Sequence, residues 1–228
     1  LPPIDEDRVG ETDIFNHPVV KYLCNNNKIE LTEKQRYNQE LWDFLEKGVE
    51  ESEWEGLIQK EVDYEEIYNS KNICFYNKTR VHINEMCMKH FKNETEYIYL
   101  DYQRKIIKDQ DGKDIYDPND RGQPVWLYEG LPVMSYKNNT KLDIVNSEEF
   151  FITSVSDDKL ILTREEGGED IEIETEKFHE FFVVNYASTA HKSQGATYTG
   201  KVILWNWDKI TSDNRIAYTA CSRATDIK

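Results

Sequence analysis

Two short segments concentrate the side chains that can do chemistry. The first is Ser188-Thr189-Ala190-His191-Lys192-Ser193-Gln194-Gly195-Ala196-Thr197-Tyr198. It sets hydroxyls, an imidazole, an ammonium and an amide along one turn that ends at a glycine. Hydroxyls and backbone N–H groups hold phosphates without reading bases, so such a turn can grip an anionic backbone on one side and face a nucleotide on the other. Gly195 lets the chain turn sharply or approach a ligand closely. The second segment, Ala217-Tyr218-Thr219-Ala220-Cys221-Ser222-Arg223-Ala224-Thr225, carries an arginine among small residues, where a guanidinium can project to a phosphate. Gln194 and Arg223 stand 29 positions apart. Taken singly, each has a plain alternative: a polar surface loop with a satisfied histidine, and an arginine in a helix-end salt bridge. It is their occurrence together, in this order, that argues for chemistry.

Three further stretches bear on the same chemistry. Tyr76-Asn77-Lys78 follows an apolar run that reads as a strand, and loops at strand C-termini are where α/β sheets bind ligands. Arg36 follows Ile29-Glu30-Leu31-Thr32 by a few positions. The five Trp and fourteen Tyr include candidates for base stacking, although most are core by default. No G-x-x-x-x-G-K-[ST] loop and no Asp-Glu pair after a strand occurs in the right place, so the parts that cradle a triphosphate and its magnesium are expected outside this chain.

The two segments resemble motifs V and VI of superfamily 1 helicases, specifically the RecD-like and PIF-type DNA helicases of superfamily 1B. There motif V runs close to T-x-H-K-S-Q-G-x-T and motif VI close to Y-x-A-x-[ST]-R-A; both patterns stand here at 189–197 and 218–224. The resemblance implies that Thr189 and His191, with Lys192 and Ser193, contact single-stranded DNA, and that Gln194 and Gly195 lie at bound ATP. It implies that Arg223 reaches the γ-phosphate. Arg36 resembles the arginine of motif IV, a second γ-phosphate contact. Asn77 and Lys78 resemble the T-x-N-K segment whose Asn holds a DNA phosphate, with Phe75 in place of the usual Thr, so that hydroxyl contact is lost. Leu1-Pro2-Pro3 resembles the end of motif III, and a chain opening this way without Met reads as part of a longer protein. Gly130-Leu131-Pro132-Val133-Met134 through Val145-Asn146-Ser147-Glu148 resembles a run in the family's inserted SH3-like barrel, with Ser147 where Gly is usual.

Composition sets limits. The 228 residues suffice for one large domain or two small ones. With 44 Asp+Glu against 28 Lys+Arg the net charge is −16, which argues against nucleic-acid binding by bulk charge but leaves room for a local groove on one strand. The acid is concentrated at 46–66 and 165–180, read as solvated faces and loops. Four scattered cysteines, without Cys-x-x-Cys spacing, suggest neither a zinc site nor a disulfide framework and fit reduced thiols. No metal site is expected. No apolar run approaches the ~20 residues of a membrane span, and no signal peptide is visible.

The elements that must position these residues follow from periodicity. Val19, Val20 and Leu23 share a helical face; Leu41, Trp42, Phe44 and Leu45 form a helical stripe, with Thr32 and Gln35 as a prospective capping box and Gly48 as a stop. Asn72 to Tyr76 reads as a buried strand of a parallel sheet, followed by a helix from Thr79 to Phe91 with Val81, Ile83, Met86, Cys87 and His90 inward. From 93 to 180 short β-rich runs alternate with turn signals at Asp111-Gly112, Arg121-Gly122 and Gly167-Gly168, which suggests a small barrel. Residues 181–186 return as a strand into the first segment, 201–205 form the next strand, and 215–224 a helix or turn.

The expectation is therefore an α/β fold: a RecA-like parallel-sheet domain over 1–92 and 181–228, with a small SH3-like β-barrel inserted at 93–180. The resemblance implies the second motor domain of an ATP-dependent DNA helicase moving 5′ to 3′ on single-stranded DNA. ATP and Mg²⁺ would be held mainly by an N-terminal RecA-like domain, and the chain alone would not hydrolyse ATP. Expected partners are single-stranded DNA, that domain, and replication or repair proteins; the expected location is intracellular, in cytoplasm or nucleus, or at a viral replication site. A viral-type superfamily 1 RNA helicase and a non-catalytic binding module are the competing readings.

Overall fold

The computed structural model describes residues 18–23, 38–46, 61–109, 111–117, 120, 122–165 and 167–225. In chain order, helices α1 (Pro18–Leu23), α2 (Gln39–Glu46) and α3 (Tyr64–Tyr68) precede strand β1 (Lys71–Cys74) and the long helix α4 (Asn77–Phe91). Strands β2 (Ile98–Leu100), β3 (Ile106–Lys108), β4 (Asp114–Tyr116), β5 (Val125–Leu127), β6 (Pro132–Ser135), β7 (Glu149–Val155), β8 (Lys159–Arg164) and β9 (Ile171–Glu174) follow. The chain returns through α5 (Phe178–Phe181), β10 (Phe182–Val184), β11 (Ala187–Thr189) and β12 (Val202–Trp205) to α6 (Trp207–Ile210) and α7 (Asn214–Cys221).

The architecture is mixed α/β. A parallel sheet has the order β11-β1-β12. Its central strand reads as a buried run because both faces are covered, and Ile73 and Cys74 are fully buried there. A curled antiparallel sheet has the order β10-β6-β7-β8-β9, with a register shift between Ile152 and Ser154 that bends β7. In β9 the period of two is plain: Ile171 and Ile173 are buried while Glu172 and Glu174 are exposed. The inward residues, among them Leu127, Ile152, Leu160, Leu162 and Phe178, make one core.

Several expectations needed correction. The strand expected over 181–186 is two: Phe182–Val184 pairs with β6 in the antiparallel sheet, and Ala187–Thr189 pairs with β1 in the parallel one. Asn84 holds the crossover between them, donating to the carbonyls of Val184 (3.0 Å) and Ala187 (3.3 Å) and accepting from the Ala187 amide (2.7 Å). His90, expected inward on α4, is exposed and stacks on Tyr68 at 3.9 Å; Arg80 and Asn84 take inner positions instead. A hairpin of β3 and β4 surrounds the Asp111-Gly112 turn where only the turn had been foreseen. Helix α2 is capped by Asn38, whose side chain accepts from the Leu41 amide at 2.9 Å. The strand expected at 29–32, its Thr32 cap, the Gly48 stop and Arg36 lie outside the described residues. Ser147 adopts φ 72°, so the turn expected of glycine is kept by a serine at a strained angle.

Candidate nucleic-acid and nucleotide site

The C-terminal edge of the parallel sheet gathers most of the expected residues. Cys74 and Thr189 are register partners at the ends of β1 and β11, and the Ala190 amide donates to the Cys74 carbonyl at 3.0 Å. The loops leaving these strands therefore start side by side: one enters α4 at Asn77, the other makes the 190–195 turn. The end of β12 joins them, because Asn206, at φ 61°, accepts from the Tyr76 amide at 3.4 Å. Asparagine tolerates the left-handed conformation needed there, and nothing in the local pattern singled it out.

On this edge Asn77 and Lys78 are exposed in the first turn of the 15-residue helix α4. Its free N–H groups and positive dipole end favour an anion. Asn77 Oδ1 also accepts from Arg80 Nε at 3.3 Å. His191 and Gln194 are exposed, and Thr189 is nearly buried. Gly195 has φ 95° and no atom within 4 Å of where a Cβ would stand, so glycine serves the backbone turn there rather than a close approach.

Two residues of the turn are tied by their side chains, one inward and one at the surface. Ser193 is fully buried; its amide donates to the Thr189 carbonyl and its hydroxyl to the Ala190 carbonyl, both at 2.9 Å, which closes the turn. Lys192 reaches the antiparallel part, donating to Asn146 Oδ1 at 2.9 Å.

Arg223 lies behind the same turn, only 3% exposed. It follows α7, which starts at Asp213, a cap whose carboxylate accepts from the Arg215 amide at 2.8 Å. The hydrogen bond and charge of Arg215 hold that carboxyl below its ordinary value against the effect of burial. Arg223 Nε donates to the Thr219 carbonyl (2.8 Å), Nη1 to the carbonyls of Ala196 (2.7 Å) and Ser193 (3.3 Å), and Nη2 to Ser222 Oγ (2.8 Å). In return the Tyr198 amide donates to the Arg223 carbonyl at 2.8 Å. The two sequence segments are thus one unit, stitched by the guanidinium.

A buried ionic group adjoins it. Lys71 Nζ donates to both carboxylate oxygens of Glu149 at 3.2 Å and to the Asn185 carbonyl at 3.1 Å, and the Tyr198 hydroxyl donates to Glu149 Oε1 at 3.1 Å. Burial alone would raise the Glu149 carboxyl, but the Lys71 charge and neighbouring hydrogen bonds hold it below its ordinary value. Burial lowers the Lys71 ammonium despite Glu149, and pushes the Tyr198 phenol far up, so it remains a donor. The thiols of Cys74, Cys87 and Cys221 are pushed up to about 12 by burial and are inert. Among the described residues no group of three His, Cys, Asp or Glu suits a metal ion, and no helix is long and apolar enough to cross a membrane.

No protein-family model matches the chain, and no curated protein does. Solved structures do. The chain is similar to a Pif1 helicase from work on DNA unwinding at forked double-stranded DNA by two coordinating Pif1 helicases. There the TM-score is 0.58 and the identity 23%, over 88% of this chain and 49% of that one. It is similar to the Bacteroides Pif1 bound to single-stranded DNA, with TM-score 0.56 and 20% identity over 88% of this chain and 51% of that one. It is also similar to the Pif1 helicase of Candida albicans, with TM-score 0.55 and 17% identity over 83% of this chain and 51% of that one. The chain spans about half the length of these structures, and over that span it shares their fold.

Proposed function

We propose that the chain is the second motor domain of an ATP-dependent superfamily 1B DNA helicase. In this reading residues 1–92 and 181–228 form a RecA-like domain and 93–180 an inserted SH3-like barrel. A P-loop RecA-like domain beyond this chain completes the motor. The observation that carries it is the join of the two segments: the 189–195 turn meets the Asn77 helix start at one sheet edge, while Arg223 grips the back of the same turn through the Ser193 and Ala196 carbonyls. The fold shared with Pif1 structures, one of them solved with ADP-AlF3 and single-stranded DNA, supports the same reading.

The residues divide the work. Asn77, Lys78, Thr189 and His191, with Lys192 beside them, hold the DNA backbone: N–H groups, a hydroxyl, an imidazole and ammonium groups are donors suited to phosphate. Ser193 contributes by closing the turn, its hydroxyl being spent on Ala190. Gln194 and Gly195 face the nucleotide. ATP supplies the phosphoryl-transfer energy; Mg²⁺ and most of the phosphate cradle belong to the P-loop domain. Arg223 reaches a phosphate by exchanging its carbonyl partners in the turn for phosphate oxygens. Arg36 is proposed as the second arginine. Because Arg223 holds the back of the turn that carries Thr189, His191 and Lys192, a change of partner at the arginine alters the grip on DNA, which is the coupling that 5′-to-3′ translocation needs.

The test is DNA-stimulated ATP hydrolysis by the full-length polypeptide, beside this chain alone and Arg223→Ala. Activity in the first, none in the second, and a loss of about 10³-fold in the variant is the expected result. Silence of the full-length protein with DNA and RNA alike overturns the proposal, and stimulation by RNA alone transfers it to an RNA helicase. Unwinding of substrates with 3′ tails only would refute the polarity.

A further inference from the structure

The Lys71–Glu149–Tyr198 group lies apart from the residues proposed to grip DNA and ATP, yet it joins three parts of the molecule. Lys71 opens the central parallel strand, Glu149 opens β7 of the antiparallel sheet, and Tyr198 ends the turn segment. A charged pair of this kind is costly to bury, so its placement needs a reason beyond stability; the side chains of Lys71 and Glu149 are only 15% and 19% exposed. The reason lies in what Tyr198 touches. Its hydroxyl is fixed by Glu149 at 3.1 Å, its ring lies 4.7 Å from Lys71 Nζ, and its amide is bonded to the Arg223 carbonyl at 2.8 Å. Arg223 in turn is held by the carbonyls of Ser193 and Ala196, within five positions of Tyr198. A second tie runs in parallel, from Lys192 to Asn146 in the loop before β7.

We infer that Glu149 is a positioning residue for the nucleotide-side arginine: through the Tyr198 hydroxyl, the antiparallel sheet sets the turn segment that presents Arg223. The inference rests on the reading of Arg223 as the γ-phosphate contact and adds to it a route by which the inserted strands govern turnover. A Tyr198 without its anchor still packs, because the ring is held by Lys71 and the apolar cluster of Ile73, Ala190 and Ala217, but the backbone at 196–198 is free to settle in several positions.

The experiment uses the full-length protein with two variants, of which Tyr198→Phe is the mild one; Glu149→Gln also strips Lys71 of its counter-charge, so its unfolding midpoint is expected to fall. Tyr198→Phe removes only the hydroxyl; Glu149→Gln removes the charge but keeps an acceptor for that hydroxyl. Readouts are kcat and KM(ATP) for DNA-stimulated hydrolysis, the Kd for single-stranded DNA, and the unfolding midpoint. The expected result is a kcat lower by about tenfold in Tyr198→Phe, with KM, Kd and midpoint close to wild type, and a smaller loss in Glu149→Gln. Wild-type kcat in Tyr198→Phe overturns the inference. So does a loss in Tyr198→Phe in which kcat, binding and midpoint decline together, which marks a merely structural contact. A wild-type protein without DNA-stimulated turnover refutes the proposed function first and the inference with it, and this outcome differs visibly from a working wild type with an indifferent variant.

Discussion

Arg223 shows what one side chain's surroundings impose. Four donor contacts go to three carbonyls and a hydroxyl, drawn from both segments, so the guanidinium's planar fork ties the two together. A lysine there is a point donor and cannot span acceptors on both segments. Arg223→Lys is expected to cost about 2 kcal/mol of unfolding free energy, since hydrogen bonds to charged groups are worth ~1.5–3 kcal/mol each and part of the set survives. An unchanged urea midpoint would contradict this. Its place between small residues singled Arg223 out in the sequence; that it faces inward was not legible there, because its acceptors are set by where 193–196 returns in space. His179 gives a second residue-scale prediction. Its Nε2 is buried without a partner among the described residues, and burial, outweighing the Asp101 and Asp120 contacts, lowers its pKa from 6.5. The unfolded chain therefore takes up a proton that the folded one refuses, so the contribution is intact above 6.5 and falls away as pH drops below it. His179→Gln is expected to flatten the stability profile as pH falls below 6.5; an identical slope in both proteins would show that the site is not responsible.

At the scale of elements, the turn at Ser147 offers the clearest test. Its φ of 72° lies in the left-handed region, its amide donates to the Ser135 carbonyl at 2.9 Å, and its hydroxyl meets Lys192 only at 3.4 Å. A side chain in this conformation costs roughly 1–2 kcal/mol, while glycine returns part of that as unfolded-state entropy. Ser147→Gly is expected to stabilise the protein by about 0.5–1 kcal/mol, read as a higher urea midpoint with an unchanged slope; a lower midpoint would mean that the Lys192 contact outweighs the strain. Strongly patterned elements were legible in the sequence for the same physical reasons that stabilise them. The run after Asn72 is continuously apolar because both faces of its strand, Lys71–Cys74, are covered, and 171–174 alternates because only one face is buried. The β3–β4 hairpin was not legible: its strands are three residues each, and Ile106 and Tyr116 are about 60% exposed, so no buried face imprints a pattern. Asn84 was missed for another reason. An amide that bonds carbonyls 100 and 103 positions away leaves no local signal.

Across the whole molecule, the two sheets meet through charge as well as apolar packing. The Lys71–Glu149 pair lies where the parallel and antiparallel sheets join, and breaking it leaves one ion buried without its partner. Lys71→Met alone is expected to cost about 3–5 kcal/mol, whereas Lys71→Met combined with Glu149→Leu recovers most of it, because the uncompensated charge is then gone. The residual deficit belongs to the Tyr198 hydroxyl, which loses its acceptor in the double variant. Equal losses in the single and the double would show that volume, not charge, matters at this junction. The same pair fixes the acid limb. Because Lys71 and the neighbouring hydrogen bonds hold the folded Glu149 carboxyl below its ordinary 4.5, the unfolded chain protonates first as pH falls. The contribution is whole above that value and decays below it, through the lower folded pKa. Unfolding midpoints followed from pH 6 to 3 should diverge between wild type and the double variant only on that acid limb. If the two curves run parallel throughout, the junction is held by its apolar neighbours, and the ionic group is there for Tyr198 and Arg223 alone.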